Sequence, residues 1–242
     1  MQSITERLGN LTLDPIVLVQ KLWRGYRVRS RNLPIVLQVV RRYLISCNVN
    51  TSDTFDDGRC NSIVDEQNII RKLQDKFEER MVVPRARMWY DILLLDIVYG
   101  WIPVNIKTTT TVNSDNTGNL AMCVYSYTNE PLDLSQFYTN GKMHKLLVHK
   151  LKEKQFNTSY VKDYFFLVLN KHDNSEIIIN SIRGLTKLTT NVNNPPFQVK
   201  WSANRKYLYK SIVASINQFK ACIKKSKPSW KEQFVSDMKL LD

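Results

Sequence analysis

Apolar residues recur at helical spacing along the first third of the chain. Asp14-Pro15 is a helix start, with the aspartate as N-cap and the proline at the first helical position, and it predicts a helix over 16–31. Asn32-Leu33-Pro34 resets the chain for a second helix over 35–46. Residues 48–61, with Thr51-Ser52-Asp53 and Asp56-Asp57-Gly58, read as an exposed loop. Beyond it, Ile63, Ile69, Ile70, Leu73 and Phe77 fall on one helical face, predicting a helix over 63–80 that Pro84 terminates.

The pattern then changes. Residues 89–98 form a nearly continuous apolar run of strand length, followed by Tyr99-Gly100 and a second strand over 102–112. Helices are predicted over 118–127 and 141–153. A polar loop at 170–175 separates strands over 164–169 and 176–182, which form a hairpin. Residues 184–204 are irregular, and helices follow over 206–224 and, after Pro228, over 229–240. This order predicts an α/β or α+β domain with a mixed central sheet flanked by helices. We expect residues 1–50 to form a helical N-terminal region packed on a core of residues 51–242. The sequence has no internal repeat.

Composition narrows the partners. The 242 residues are 43% hydrophobic, enough to bury a core, and 35 Lys and Arg against 22 Asp and Glu give a net charge of +13. A field of that sign favours polyanions, because each phosphate contact releases condensed counterions. Membranes, RNA and DNA all satisfy it. No uncharged apolar run approaches the ~18 residues of a membrane span, so a soluble intracellular protein is expected. Cys47, Cys60, Cys123 and Cys222 lack zinc-ligand spacing, and His144, His149 and His172 form no metalloprotease pattern.

The chemistry concentrates in the hairpin of residues 89–112. Asp91 and Lys107 are charged groups in otherwise apolar strands, and a buried charge costs several kcal/mol unless it is paired or binds a metal. Asn105 and Lys107 share one strand face, since the pleat has period two. An antiparallel bend near 98–100 brings that face beside Asp91, so a carboxylate, an amide oxygen and an ammonium converge. Such a set suits phosphodiester hydrolysis: oxygen ligands hold Mg2+, and a lysine orients the attacking water. The plainer alternative is that Asp91 caps a strand and Lys107 extends to solvent. Asp96, nearer the bend, is the rival to Asp91, with a turn residue as its own plain reading.

Trp89–Asp96 with Asn105-Ile106-Lys107-Thr108-Thr109 resembles the core of the PD-(D/E)xK nucleases, and the second stretch is similar to the Asp-Ile-Lys-Thr-Thr of EcoRV-like restriction enzymes. The likeness covers residues 60–128. It implies a restriction-endonuclease-like fold, Asp91 as the first metal-binding aspartate, Lys107 as the active-site lysine, and Mg2+ as cofactor. Gly58-Arg59-Cys60-Asn61-Ser62 followed by Asp65-Glu66 resembles the helix that carries an additional active-site glutamate, which would be Glu66. The chain departs from the family at Asn105, where Asp or Glu is usual, and at Tyr90, where Pro is usual. An amide ligates through oxygen without bringing charge, so either Glu66 compensates or activity is lost.

Other features extend the resemblance. Thr108 and Thr109 follow the lysine and could touch phosphates, although strands also favour threonine. Arg59, Asn61 and Asn116 are further candidate DNA contacts. The amides of Asn193, Asn194 and Gln198 could read adenine edges, or simply make turns. Residues 19–29, with Gln20, Arg24-Gly25 and Arg29, resemble a calmodulin-binding IQ motif; the plainer reading is a basic amphipathic helix.

The sequence therefore leads us to expect a type II-like restriction endonuclease that cuts double-stranded DNA with Mg2+ as a homodimer. The rivals are a repair or junction-resolving nuclease of the same fold and a catalytically silent DNA-binding or calmodulin-binding protein.

Overall fold

The computed structural model describes residues 33–49, 58–116, 119–190, 196–225 and 232–241. The expected helix over 16–31, the IQ-like segment, Asn193 and Asn194 lie outside them, and of Arg59 only the backbone is described. The chain divides into units of residues 1–32 and 33–242, and all that follows concerns the second. The division differs from the expected boundary at residue 50. Helix α1 (Ile35–Ser46) explains why: its Leu37, Val40 and Leu44 are wholly buried in the core of the larger unit.

A five-stranded sheet organises that unit, in the order β1-β2-β3-β5-β6, with β1 Met81–Val82, β2 Ile92–Asp96, β3 Gly100–Thr109, β5 Phe165–Asn170 and β6 Asp173–Ser181. All neighbours are antiparallel except β3 and β5, which run parallel in a register that sets Asn105 beside Phe166 and Lys107 beside Val168. A parallel pair needs a long crossover. Here residues 110–164 supply it, carrying helices α3 (Leu120–Tyr127) and α4 (Asn140–Lys152).

The two faces of the sheet feed two separate cores. Ile102, Val104 and Ile106 of β3 point to the face covered by α1 and by α2 (Gly58–Phe77), where Ile69 and Leu73 join Leu37, Val40 and Leu44. Leu93, Phe166, Val168 and Ile178 point the other way, into a layer built from α3, α4, α5 (Ile212–Lys224) and α6 (Glu232–Lys239). Burial on both faces is why Phe165–Leu169 reads as an unbroken apolar run. Trp89 of the second layer packs its ring 5.1 to 5.8 Å from those of Tyr90, Tyr125 and Tyr164.

Several expected boundaries move. The apolar run 89–98 narrows to β2, because Trp89 and Tyr90 are buried as layer residues rather than as strand partners. Helix α2 begins at Gly58, five residues before the expected start, so the end of the expected loop is helical. Helix α5 begins at Ile212 instead of 206, capped by the Ser211 hydroxyl. The irregular stretch 184–204 contains two short strands, β7 (Leu188–Thr189) and β8 (Gln198–Lys200), which form a small sheet with β4 (Ser114–Asn116) in the order β4-β8-β7.

The β2–β3 turn shows how one side chain holds distant elements. Gly100 closes it with φ +68°, a conformation that side-chain-bearing residues resist. Buried Asp96 accepts hydrogen bonds from Val98 N at 2.8 Å and Tyr99 N at 3.1 Å through one oxygen. Its other oxygen accepts from Val36 N at 2.9 Å, capping the start of α1 where Pro34 offers no side-chain cap. Asp96 is thus the turn residue that its plain reading described. Asp96→Ala leaves three N–H groups without their acceptor and should cost about 2–4 kcal/mol. Chemical denaturation should show a lower midpoint with an unchanged slope.

Candidate active site

The site forms where strand pairing stops. Strand β2 starts at Ile92, opposite Val104, and one residue earlier Asp91 N still donates to Val104 O at 3.0 Å. There the neighbouring backbone leaves β3, and the Asp91 side chain takes its place. Its Oδ2 accepts from Ile106 N at 2.7 Å and from Asn105 Nδ2 at 2.7 Å. Further along β3 the partner is α2: the Ser62 hydroxyl donates to Thr108 O at 3.3 Å, and the Thr108 hydroxyl donates to Ser62 O at 3.4 Å. Glu66 lies four residues beyond Ser62, on the same side of the helix. Its carboxylate lies 3.8 Å from the Lys107 ammonium.

Four groups named from the sequence therefore meet at one end of the sheet: Asp91, Asn105, Lys107 and Glu66. Burial pushes the Glu66 carboxyl above the usual carboxylate range, with Lys107 pulling it back and the nearby Asp91 charge adding to the rise. Burial likewise raises Asp91, opposed by Lys107 and by the Ile106 N–H. Two carboxylates in this state favour any added positive charge. Tyr164 closes the site from the aromatic layer, its hydroxyl donating to Trp89 O at 2.9 Å.

A cleft of about 590 Å3 opens beside these groups. Glu66, Lys107, Asn61 and Thr108–Thr110 line one side, and Asn113, Asp115 and Asn116 continue the wall onto the small sheet. Asp91 and Asn105 sit behind this lining rather than in it. Thr108 and Thr109 are buried, and their hydroxyls serve their own chain, that of Thr109 accepting from Thr111 N at 3.4 Å. Asn61 is buried as well. Gln198 and Asn116 come together at the rim, Gln198 Nε2 donating to Asn116 Oδ1 at 3.2 Å.

Asn113, Lys171 and His172 on the cleft wall were not singled out from the sequence as functional. Asp115 lies on β4, and burial raises its carboxyl, offset by the Thr109 hydroxyl and the Lys107 charge. Lys171 and His172 follow β5 directly. The available signal was positional, because crevices form outside the carboxyl ends of parallel strands. The sequence did not reveal that β5 runs parallel to β3.

Comparison with family models, with curated proteins and with solved structures finds no match to this chain.

Among the described residues no group of three or more His, Cys, Asp and Glu side chains is arranged to hold a metal ion. An amide donor lies outside that count. Asn105 Oδ1 is buried without a hydrogen-bond partner, while the same amide's nitrogen is committed to Asp91. Two carboxylates, one unsatisfied amide oxygen and an adjoining cleft suit a hard cation such as Mg2+, which keeps several waters and needs only one or two protein carboxylates. Asp91, Glu66 and Asn105 are the residues that could hold it.

The geometry has a structural consequence of its own. Asp91→Ala leaves Ile106 N and Asn105 Nδ2 without their acceptor and should cost about 1–3 kcal/mol. Thermal or denaturant unfolding of the variant checks this, and an unchanged stability would show that the Asp91 carboxylate does not complete the β3 edge.

Proposed function

We propose that the chain is a Mg2+-dependent endonuclease of the restriction type, built on a PD-(D/E)xK-like core and cutting double-stranded DNA. The observation that carries this reading is the meeting of Asp91, Asn105, Glu66 and Lys107 at the open end of β3, beside a cleft. The mixed sheet with helices on both faces is compatible with that core, and the net charge of +13 suits a polyanionic substrate. A duplex has two strands and each chain carries one such site, so a homodimer on a two-fold symmetric target fits the geometry of the task.

The roles follow from the chemistry of the groups. Lys107 stands at the cleft surface, where its ammonium orients the attacking water and offsets charge developing on the phosphate. Glu66 fixes the lysine head and supplies the second carboxylate. Asp91 supplies the first, its geometry locked by the Ile106 N–H and the Asn105 amide. Bound Mg2+ supplies an activated water and stabilises the leaving oxygen.

A plasmid-cleavage assay with and without Mg2+ tests the class. Discrete fragments that require Mg2+ support a restriction enzyme; cutting confined to branched junctions points to a resolvase; binding without cutting points to a silent DNA-binding protein. Lys107→Ala should abolish cleavage while leaving DNA binding largely intact, and cutting at the wild-type rate would remove Lys107 from the mechanism.

Asn105 generates a sharper test. If Glu66 carries the charge that Asn105 lacks, Glu66→Gln should raise the Mg2+ requirement steeply and cost as much activity as Asp91→Asn. Asn105→Asp should preserve cleavage or lower the requirement. Titration of cleavage against Mg2+ across the three variants reads this directly, and wild-type metal dependence in Glu66→Gln would sink the compensation idea.

A further inference from the structure

Helix α2 presents two adjacent acids to two different strand ends. Glu66 meets Lys107 of β3, and its neighbour Asp65 meets Lys171, which follows β5, with an Nζ to Oδ2 distance of 3.8 Å. Consecutive residues on a helix point about 100° apart, so the two lysines are held on separate anchors and do not converge on one acid. Both nonetheless line the same cleft. The parallel register is what makes this possible. Strands β3 and β5 end together, Thr109 beside Asn170, and Lys171 N continues the ladder by donating to Thr109 O at 2.9 Å.

Asp65 is the more telling partner. Its side chain is 1% exposed, whereas that of Lys171 is 14% exposed. An acid sunk this deeply is costly unless a cation answers it. The pair therefore holds the lysine head toward α2, on the wall of the cleft. The ammonium carries three donors, and Lys171 lines the cleft together with Lys107. His172 stands beside it, exposed on the same wall.

We propose that Lys171 is a second anion subsite of the cleft, gripping a backbone phosphodiester of DNA other than the one served by Lys107, with Asp65 as its positioning residue. The inference rests on the reading of this cleft as a DNA-cutting site and adds a substrate-binding group to it. It assigns the β5 end to positioning the strand, and the β3 end to chemistry. Lys171 contributes point charge rather than sequence readout, because contacts to phosphate fix register and carry no base information.

The test is the salt dependence of duplex binding by the full chain, measured by fluorescence anisotropy on a labelled random-sequence duplex without Mg2+. Each neutralised phosphate contributes about 0.9 to the slope of log affinity against log salt. Lys171→Ala should weaken binding several-fold at low salt and reduce that slope by about 0.9. Lys145→Ala, on the exposed side of α4, should change neither. Asp65→Asn keeps the ammonium but loosens it, so affinity should fall less and the slope should stay near the wild-type value. Lys171→Met preserves the stem, and should reproduce the alanine result if the alanine variant folds poorly. A steep wild-type slope that is unchanged in both Lys171 variants overturns the subsite and leaves the nuclease reading standing. A flat slope in the wild-type protein overturns both.

Discussion

The parallel alignment of β3 with β5 is the constraint on which the rest of the molecule turns. Two strands running the same way cannot be joined by a tight turn, so the chain spends residues 110–164 crossing over one face. That crossover becomes the α3 and α4 layer. The alignment also brings both strand ends to one edge of the sheet, where the crossover leaves β3 and the tight β5–β6 turn carries Lys171 and His172 onto the wall of the cleft. The charged groups of the cleft, Glu66, Lys107, Asp115 and Lys171, gather at that edge. Had the two strands been antiparallel, Lys107 and Lys171 would stand at opposite ends of the sheet.

The edge also explains the unusual amide. Asp91 substitutes for a missing strand neighbour, and the group beside it at Asn105 must be able to donate. An aspartate in that place would set a second carboxylate in hydrogen-bond contact with the first, in a position already desolvated enough to raise the Asp91 carboxyl. The amide turns a repulsive contact into an attractive one and still leaves an oxygen without a partner. Local folding and oxygen-donor chemistry are thereby satisfied by one residue, at the expense of formal charge.

Much of this could be read from residue order. Helix α1 matched its expected span at both ends because Pro34 fixes its start and its apolar face is regular. The hairpin carrying Asp91 and Lys107 followed from two strand-length runs about Tyr99-Gly100, and the shared face of Asn105 and Lys107 from the pleat's period of two. The misses have physical causes. Gly58 and the acidic residues before it carry loop propensity, yet α2 extends back to Gly58, where its early turns meet β3 through Ser62 and Thr108. Trp89 and Tyr90 are apolar for the sake of the aromatic layer, and an apolar run does not declare which neighbour it needs. Strands of two or three residues such as β1, β4, β7 and β8 are too short to show a period. The meeting of Asp65 with Lys171 joins residues 106 positions apart, a distance at which composition and spacing carry no signal.

The sheet that separates the two cores also insulates them. The buried apolar side chains of α1 and α2 pack on one set of strand residues and those of α3 to α6 on the alternate set. Only at the cleft does α2 reach across, where Glu66 meets Lys107. Substitutions within the two apolar cores, away from the cleft, share no side-chain partner and should combine additively. A lineage could therefore rebuild the aromatic layer, and with it the backing of Asn105, while leaving Asp65 and Glu66 in place on α2. The reverse holds as well. Sequence change confined to one apolar core therefore leaves the packing of the other in place, and only the crevice, where Glu66 meets Lys107, answers to both.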